Sequence, residues 1–573
     1  MTALPSALDA EQQRAVDALR GPVVVLAGAG AGKTRVITHR IAHGIATGTY
    51  AAGRVLALTF TAKAAAELRT RLRSLGAPGV SARTFHAAAL SQLNFFWPNT
   101  IGGTMPSLVS GKAQLIAQAS ERLRLKLDTP TLRDVAAEVE WRKVTGLRLD
   151  EYARAGRPLP HSLTIEQTVD LLQGYETLKD ERRQIDFEDV LVLCTGMIRQ
   201  EASVAFQVRE QFRFFVVDEY QDVSPIQQHL LDAWLGDRRD LCVVGDASQT
   251  IYSFTGATSD YLLGFRSRFP DATTIRLATN YRSTPEISAV ANHLMRERPG
   301  ALTLHAAPSA RSGPRPDTAG YPSDIAEARG VATRIAELLD NGTAPEDIAV
   351  LFRANIQSAV LEQALGESGI PFTVHGNARF FDRPEVKQAL MALRGAAVAA
   401  AIEPLFKTVS DVLRSLGWSQ TPPEQPGATR DRWESLNAIM DLADRAPEGT
   451  GVRAFADELF ERQSAQHEPV MRAVTLATIH SVKGLEWESV FVVGVAEGLL
   501  PISYAQTPET IEEERRLLYV AITRARHSLT LTWARTGARQ SSPRDPSRFL
   551  QEIGTRIRGG NAAVPAARAG HSG

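Results

Sequence analysis

In the stretch "VVVLAGAGAGKTRVITHR" (23–40), Ala27, Gly28, Ala29, Gly30, Ala31 and Gly32 form a loop of small residues that leads into Lys33 and Thr34. Small residues let backbone N–H groups close around phosphate oxygens. An ammonium at Lys33 then reaches the β- and γ-phosphates of a nucleoside triphosphate, and the Thr34 hydroxyl can ligate Mg²⁺. Ala27 stands where such loops usually place their first glycine, a change that a wide turn tolerates. A second pair able to do chemistry, Asp218-Glu219, ends the run "FRFFVVDE" (212–219). One carboxylate at a strand end can hold the Mg²⁺, and the next can take a proton from an attacking water. Loop and acid pair together predict hydrolysis of a nucleoside triphosphate. Their spacing differs from dinucleotide-binding and kinase patterns.

Such groups need a rigid frame, and the sequence supplies one. Short β-rich runs at 22–27, 54–60, 212–219, 241–246, 273–279, 348–353 and 488–494 alternate with helical patterns, which predicts an α/β protein with parallel sheets. From about 91 to 180 no such run occurs, and "GKAQLIAQASERLRLKL" has a 3.6-residue apolar period, so this stretch reads as a helical insertion. Segments 305–324 and 419–431, rich in Pro, Gly and Ser, read as loops, and the last residues read as a disordered tail.

With 573 residues, 44% of them hydrophobic, the chain is long enough for three or four domains. Lys plus Arg equals Asp plus Glu at 64 each, so overall charge neither supports nor opposes nucleic-acid binding. Cys194 and Cys242 lack metal-ligand spacing. No signal peptide or membrane-length apolar run is legible, and a cytoplasmic protein is expected.

The ordered segments "AGAGAGKTR", "LTFTAKAAAELRTR", "RTFHA", "IDFEDVL", "VVDEYQDVSPIQ", "VVGDASQTIYSFTGA", "LATNYRST", "GNARFFDRPEVKQAL", "LATIHSVKGLEWESVFVVG" and "EEERRLLYVAITRAR" resemble the motif series of UvrD/PcrA/Rep-type superfamily 1 DNA helicases. The resemblance runs from about residue 8 to 550. It implies two RecA-like motor domains, the first at 1–90 and 181–276 with a helical insertion at 91–180. The second would occupy 277–394 and 470–553, with a reduced insertion at 395–469 and a tail at 554–573. The implied activity is ATP-dependent movement 3′ to 5′ along single-stranded DNA, in DNA repair or replication restart, with ATP and Mg²⁺ as cofactors. Single strands and 3′-tailed duplexes are the implied substrates, and repair proteins or a second copy the implied partners. The alternative is an ATP-gated single-strand DNA-binding or protein-displacement factor without intrinsic unwinding.

Carried onto this chain, the resemblance gives Gln13 the adenine edge, Tyr281 and Arg35 the two faces of the base, and Glu486 the ribose. Arg282 and Arg524 would act as arginine fingers on the γ-phosphate, a task suited to a permanently charged, bidentate guanidinium. Gln249 would sense the same phosphate from the first motor. Phe60, Phe187, Tyr252 and Phe254 would line the single-strand path as stacking platforms, with His86, Arg353, Asn355 and His480 as polar contacts. The chain departs from the usual pattern at Ala62, where an asparagine is common, and in "YSFTGA", where Phe254 replaces a tryptophan and Thr255 an arginine. Weaker single-strand affinity is the expected consequence. With its reduced insertion at 395–469, the chain resembles a compact branch of the family, near the actinobacterial UvrD-like helicases.

Overall fold

A computed structural model describes residues 8–157, 159–160, 163–375, 381, 383–399, 404–421, 428–444, 446–447, 449–465, 472–537 and 543–561. The chain divides into two units, Met1–Gly28 with Gly32–Leu277, and Ala29–Ala31 with Ala278–Gly573. Both are α/β and each is built on a parallel sheet.

In the first unit the strands are β1 (Val23–Ala27), β2 (Val55–Thr59), β3 (Ser81–Thr84), β4 (Phe214–Val217), β5 (Leu241–Gly245) and β6 (Thr273–Leu277). They lie in the order β3-β2-β4-β5-β1-β6, all parallel. β2, β4 and β5 are buried at every position, because helices cover both faces; this is why they read as continuous apolar runs rather than alternating ones. β4, β5 and β1 are neighbours, so the loops at their C-terminal ends converge. These loops carry Asp218-Glu219, Asp246–Gln249 and Gly28–Lys33. β3, "SART", escaped the sequence reading because only Ala82 is fully buried.

Helices Lys112–Arg122, Thr129–Thr145, Leu149–Arg154 and Ile165–Glu181 share a core around Leu115, Ile116, Val139, Leu171 and Tyr175. The stretch expected to lack strands contains one short exception: Ser107–Leu108 pairs in parallel with Gln184–Ile185.

The second unit holds β7 (Asp317–Ser323), β8 (Ile348–Phe352), β9 (Phe372–His375), β10 (Val474–Thr478), β11 (Trp487–Val492), β12 (Ala525–Thr536) and β13 (Arg558–Asn561), in the order β9-β10-β8-β11-β12-β7-β13. β7 corrects the reading of 305–324 as loop. Its composition is poor in apolar residues because the Trp533 ring of β12 needs the space: a Cβ on Gly320 would lie 2.8 Å from Trp533 Cε2. β13 likewise corrects the start of the expected tail, since its backbone completes the sheet edge beside β7; residues 562–573 lie outside the described ones. Between β9 and β10, helices Pro384–Ala399, Leu405–Ser415, Ala428–Asp444 and Val452–Ala465 pack around Leu393, Val409, Leu413, Leu436, Ile439 and Phe455. The third begins inside the segment read as a loop to 431. Among the described residues, no helix is long and apolar enough to cross a membrane.

Candidate nucleotide and nucleic-acid sites

The loop after β1 bends through Gly30 (φ +71°) and Gly32 (φ +81°), left-handed conformations that glycine adopts without a Cβ clash. Gly32 caps helix Lys33–Ala46 and has no side chain to bond the first-turn N–H groups, so these donors face the place a phosphate would occupy. A Cβ on Gly32 would also crowd Gln12 Nε2, 3.0 Å away. Gln12 is 1% exposed and completes a capping box with Asp9, whereas Gln13 is exposed and donates to Asp17 Oδ1 at 2.7 Å. Of the two glutamines, Gln12 is therefore the one at the loop. The placement of Gln13 against a base is corrected accordingly. The missed signal was periodic: Gln12 lies three and four residues before buried Ala15 and Val16, and so shares their helix face.

Asp218 and Glu219 lie half-buried beyond β4. Glu219 has φ +52°, a conformation that costs a non-glycine residue energy and occurs where the surroundings over-determine it. Its N–H donates to Asp218 Oδ1 at 3.0 Å. Gln221 Nε2 donates to Glu219 Oε2 at 2.5 Å, and Gln221 Oε1 accepts from Asp246 N at 2.9 Å. Asp246 in turn accepts from Gln249 Nε2 at 2.7 Å and Ser248 N at 3.0 Å. A hydrogen-bonded chain thus joins the acid pair to Gln249 through Gln221 and Asp246, two residues the sequence reading did not single out. Burial pushes the Asp246 carboxyl up, against the pull of the Lys33 ammonium. The donor set fits a Mg-nucleotide: a hydroxyl at Thr34, a carboxylate at Asp218, and a cradle of N–H groups. Mg²⁺ bound through phosphates needs only one or two protein ligands and keeps several waters.

Further along the same connection the rings begin. Tyr252 stacks on Phe60, with centroids 5.4 Å apart and planes 17° apart, and Phe254 tilts against Tyr252 at 6.2 Å. Phe60, Phe254 and Phe187 are 45%, 56% and 52% exposed, so they are not core residues. Phe187 meets the half-buried His86 edge-on at 6.1 Å. Replacing Tyr252 or Phe254 with Ala should weaken single-strand binding by roughly 1–3 kcal/mol per base that loses its platform, read by fluorescence anisotropy of a labelled oligonucleotide.

Burial, reinforced by Lys112, pushes His86 down to about 4; burial and Arg353 do the same to His480. Both imidazoles are neutral above that pH and protonate only as pH falls through it. Neither His86 nor His480 should therefore contribute a titration of single-strand affinity between about pH 5.5 and 8, and His86→Ala should leave the slope of log affinity against log salt unchanged. A slope change near one would show that His86 carries charge to a phosphate.

In the second unit, Gly30 O accepts from Tyr281 N at 3.0 Å, and a Cβ on Gly30 would lie 2.5 Å from Asn280 Oδ1. Tyr281 is 44% exposed, and Arg35 of the first unit is half-buried. Arg282 forms an ion pair with Glu486 and donates to Thr523 O at 3.2 Å. Arg526 also pairs with Glu486, and the two guanidiniums overcome burial to hold its carboxyl below the usual range. Glu486, expected at the ribose, is thus engaged by two arginines. Arg524 is 1% exposed and donates to Val520 O at 3.0 Å, Leu485 O at 3.1 Å and Thr523 Oγ1 at 3.1 Å. To meet a phosphate it would have to leave these acceptors. Arg353 is bidentate on Glu514, with Nε donating to Oε2 at 3.1 Å and Nη2 to Oε1 at 2.8 Å, and it donates to Tyr504 Oη at 3.1 Å, so its charge is already compensated. Asn355 is exposed at the start of a 3-10 turn.

The chain matches the UvrD/REP helicase N-terminal domain over residues 8–270 and the UvrD-like helicase C-terminal domain over 275–421 and 429–536. It is 46% identical over 584 aligned positions to the ATP-dependent DNA helicase UvrD2 of Mycobacterium tuberculosis, an alignment covering 97% of this chain and 83% of that one. It is 30% identical over 641 positions to DNA helicase II of Escherichia coli, covering 96% and 88%. To the ATP-dependent DNA helicase PcrA of Leuconostoc citreum it is 28% identical over 648 positions, covering 96% and 85%. With a glycine-bent phosphate loop, an acid pair and a ring row on parallel-sheet units, and with these matches along nearly its whole length, the chain belongs to the UvrD-like helicase family.

Proposed function

We propose that the protein is an ATP-dependent DNA helicase that moves 3′ to 5′ along single-stranded DNA and serves DNA repair or replication restart. The observation that carries this reading is the connection after β5. It starts at Asp246 and Gln249, and within a few residues carries the half-buried ring of Tyr252 and the exposed ring of Phe254. A shift of Gln249 on loss of the γ-phosphate is therefore transmitted directly to a base-stacking platform. Lys33 and the loop N–H groups hold the phosphates, Thr34 and Asp218 would hold Mg²⁺, and Glu219 orients the attacking water and accepts its proton. The metal supplies neutralisation of phosphate charge. Arg282 and Arg524 of the second motor complete the charge stabilisation.

The helices between Pro384 and Ala465 are the reduced counterpart of the family's second insertion, with less surface for gripping a duplex. Translocation is accordingly the robust activity, and unwinding by a monomer is weak unless a partner, a second copy or a long 3′ tail assists. The test is ATP turnover with and without single-stranded DNA, followed by single-turnover unwinding of 3′- and 5′-tailed duplexes at monomer concentrations. Stimulated turnover with preference for the 3′ tail is expected. Equal activity on both tails would overturn the polarity, efficient unwinding by the monomer would overturn the claim for the insertion, and stimulated turnover without movement would favour the ATP-gated binding factor.

A further inference from the structure

The last turn of helix Thr129–Thr145 reaches the supports of two exposed rings at once. Lys143 is buried; its Nζ donates to both Asp186 oxygens, at 2.9 and 2.8 Å, and to Asp189. Lys179, also buried, reaches Asp186 at 3.3 Å and Asp189, and Tyr175 Oη donates to Asp186 Oδ2 at 3.0 Å. These two carboxylates bracket Phe187. Asp186 caps helix Phe187–Gln200 by accepting from Asp189 N at 2.9 Å, and Asp189 returns the bond by accepting from Asp186 N at 3.0 Å. Two cations thus lock the reciprocal cap from which the Phe187 ring projects.

The next two residues of the same turn press on a different loop. Gly256, at φ +88°, closes the 3-10 turn Ser253–Thr255 that carries Phe254. A Cβ there would lie 2.8 Å from Val144 Cγ1 and 3.4 Å from Thr145 Cγ2, so the turn sits directly on the helix end. Thr255 Oγ1 donates to Tyr252 O at 2.8 Å, which ties the turn to the second ring.

We propose that Lys143 and Val144 are positioning residues that fix the separation between Phe187 and the Tyr252–Phe254 pair, so that bases of one strand meet both platforms in register. Breaking a buried charge pair by removing one partner is costly, so such a pair holds the groups it joins in one arrangement. The inference rests on the DNA-binding reading above. Lys143 is buried, and its ammonium is engaged by Asp186, Asp189 and, at 3.5 Å, Glu176.

The test uses the full chain and a fluorescein-labelled oligo(dT), with anisotropy measured across salt concentrations for the wild type, Lys143→Met, Phe187→Ala and the double variant. Lys143→Met should weaken binding about tenfold with the salt slope unchanged, yet add less than about twofold to Phe187→Ala, because the interaction it removes acts through that ring. Unchanged affinity, an equal loss in both backgrounds, or a slope reduced by about one, as for a direct phosphate contact, would each overturn the proposal. If Lys143→Met does not fold, Val144→Ala combined with Phe254→Ala decides on the same criterion: non-additive losses support it and additive losses overturn it. Failure of the wild type to bind oligo(dT) would instead overturn the DNA reading itself.

Discussion

Replacing Glu219 with Gln is expected to cut ATP turnover by about 10²–10⁴-fold while ATP still binds. The amide keeps the shape of the side chain but cannot take a proton from water. Gln221 Nε2 donates to Glu219 Oε2 at 2.5 Å, which fixes the orientation of the carboxylate. Single-turnover hydrolysis with saturating ATP, alongside equilibrium binding of a fluorescent ATP analogue, separates the two steps. Turnover within tenfold of wild type would remove Glu219 from the chemistry. Lys33→Ala should behave differently, losing nucleotide affinity first, because it deletes the main cation on the phosphates.

The second large effect is expected at Arg282. Its replacement by Ala should lower DNA-stimulated hydrolysis by up to about 10³-fold, with single-strand affinity retained. The ion pair with Glu486 gives this prediction its structural content, since it fixes where the guanidinium lies. Normal stimulated hydrolysis in Arg282→Ala would remove Arg282 from the proposed chemistry. Arg524 makes a poorer test. It is buried on carbonyl oxygens, and removing it leaves those acceptors unsatisfied at a cost of about 1–3 kcal/mol, so lost activity could reflect lost fold.

The sheets were legible wherever both faces are buried. β1, β2, β4, β5 and β8 are continuous apolar runs, and burial on two sides leaves no other composition open to them. β7 was not legible: "DTAGYPS" carries a glycine and a proline, and what makes it a strand is pairing on both edges and room for Trp533. At the candidate site, the glycine-bent loop and the acid pair at a strand end could be read because their spacing is local. The partners of Glu219 could not, since Gln221 and Asp246 meet through a packing of two loops that no spacing encodes. Gln12 sits between these cases; its helix face was readable, but the choice between adjacent glutamines turned on a face shared with Ala15 and Val16.

Ring exposure was equally hidden. Phe60 and Phe187 read alone as ordinary apolar residues, and only the folded chain places them outside the core, beside Tyr252 and His86.

The order of the two sheets along the chain has a consequence for biosynthesis. All six strands of the first sheet lie before residue 278, so that sheet can form while the ribosome is still reading the rest. The second sheet cannot close early, because β7 waits for β12 and for β13 at 558–561, and β9 waits for β10 across the helices from Pro384 to Ala465. At about 5–20 residues per second, the first unit is exposed to the cytosol without its counterpart for on the order of tens of seconds. During that interval it already carries the phosphate loop and the four exposed or half-exposed rings.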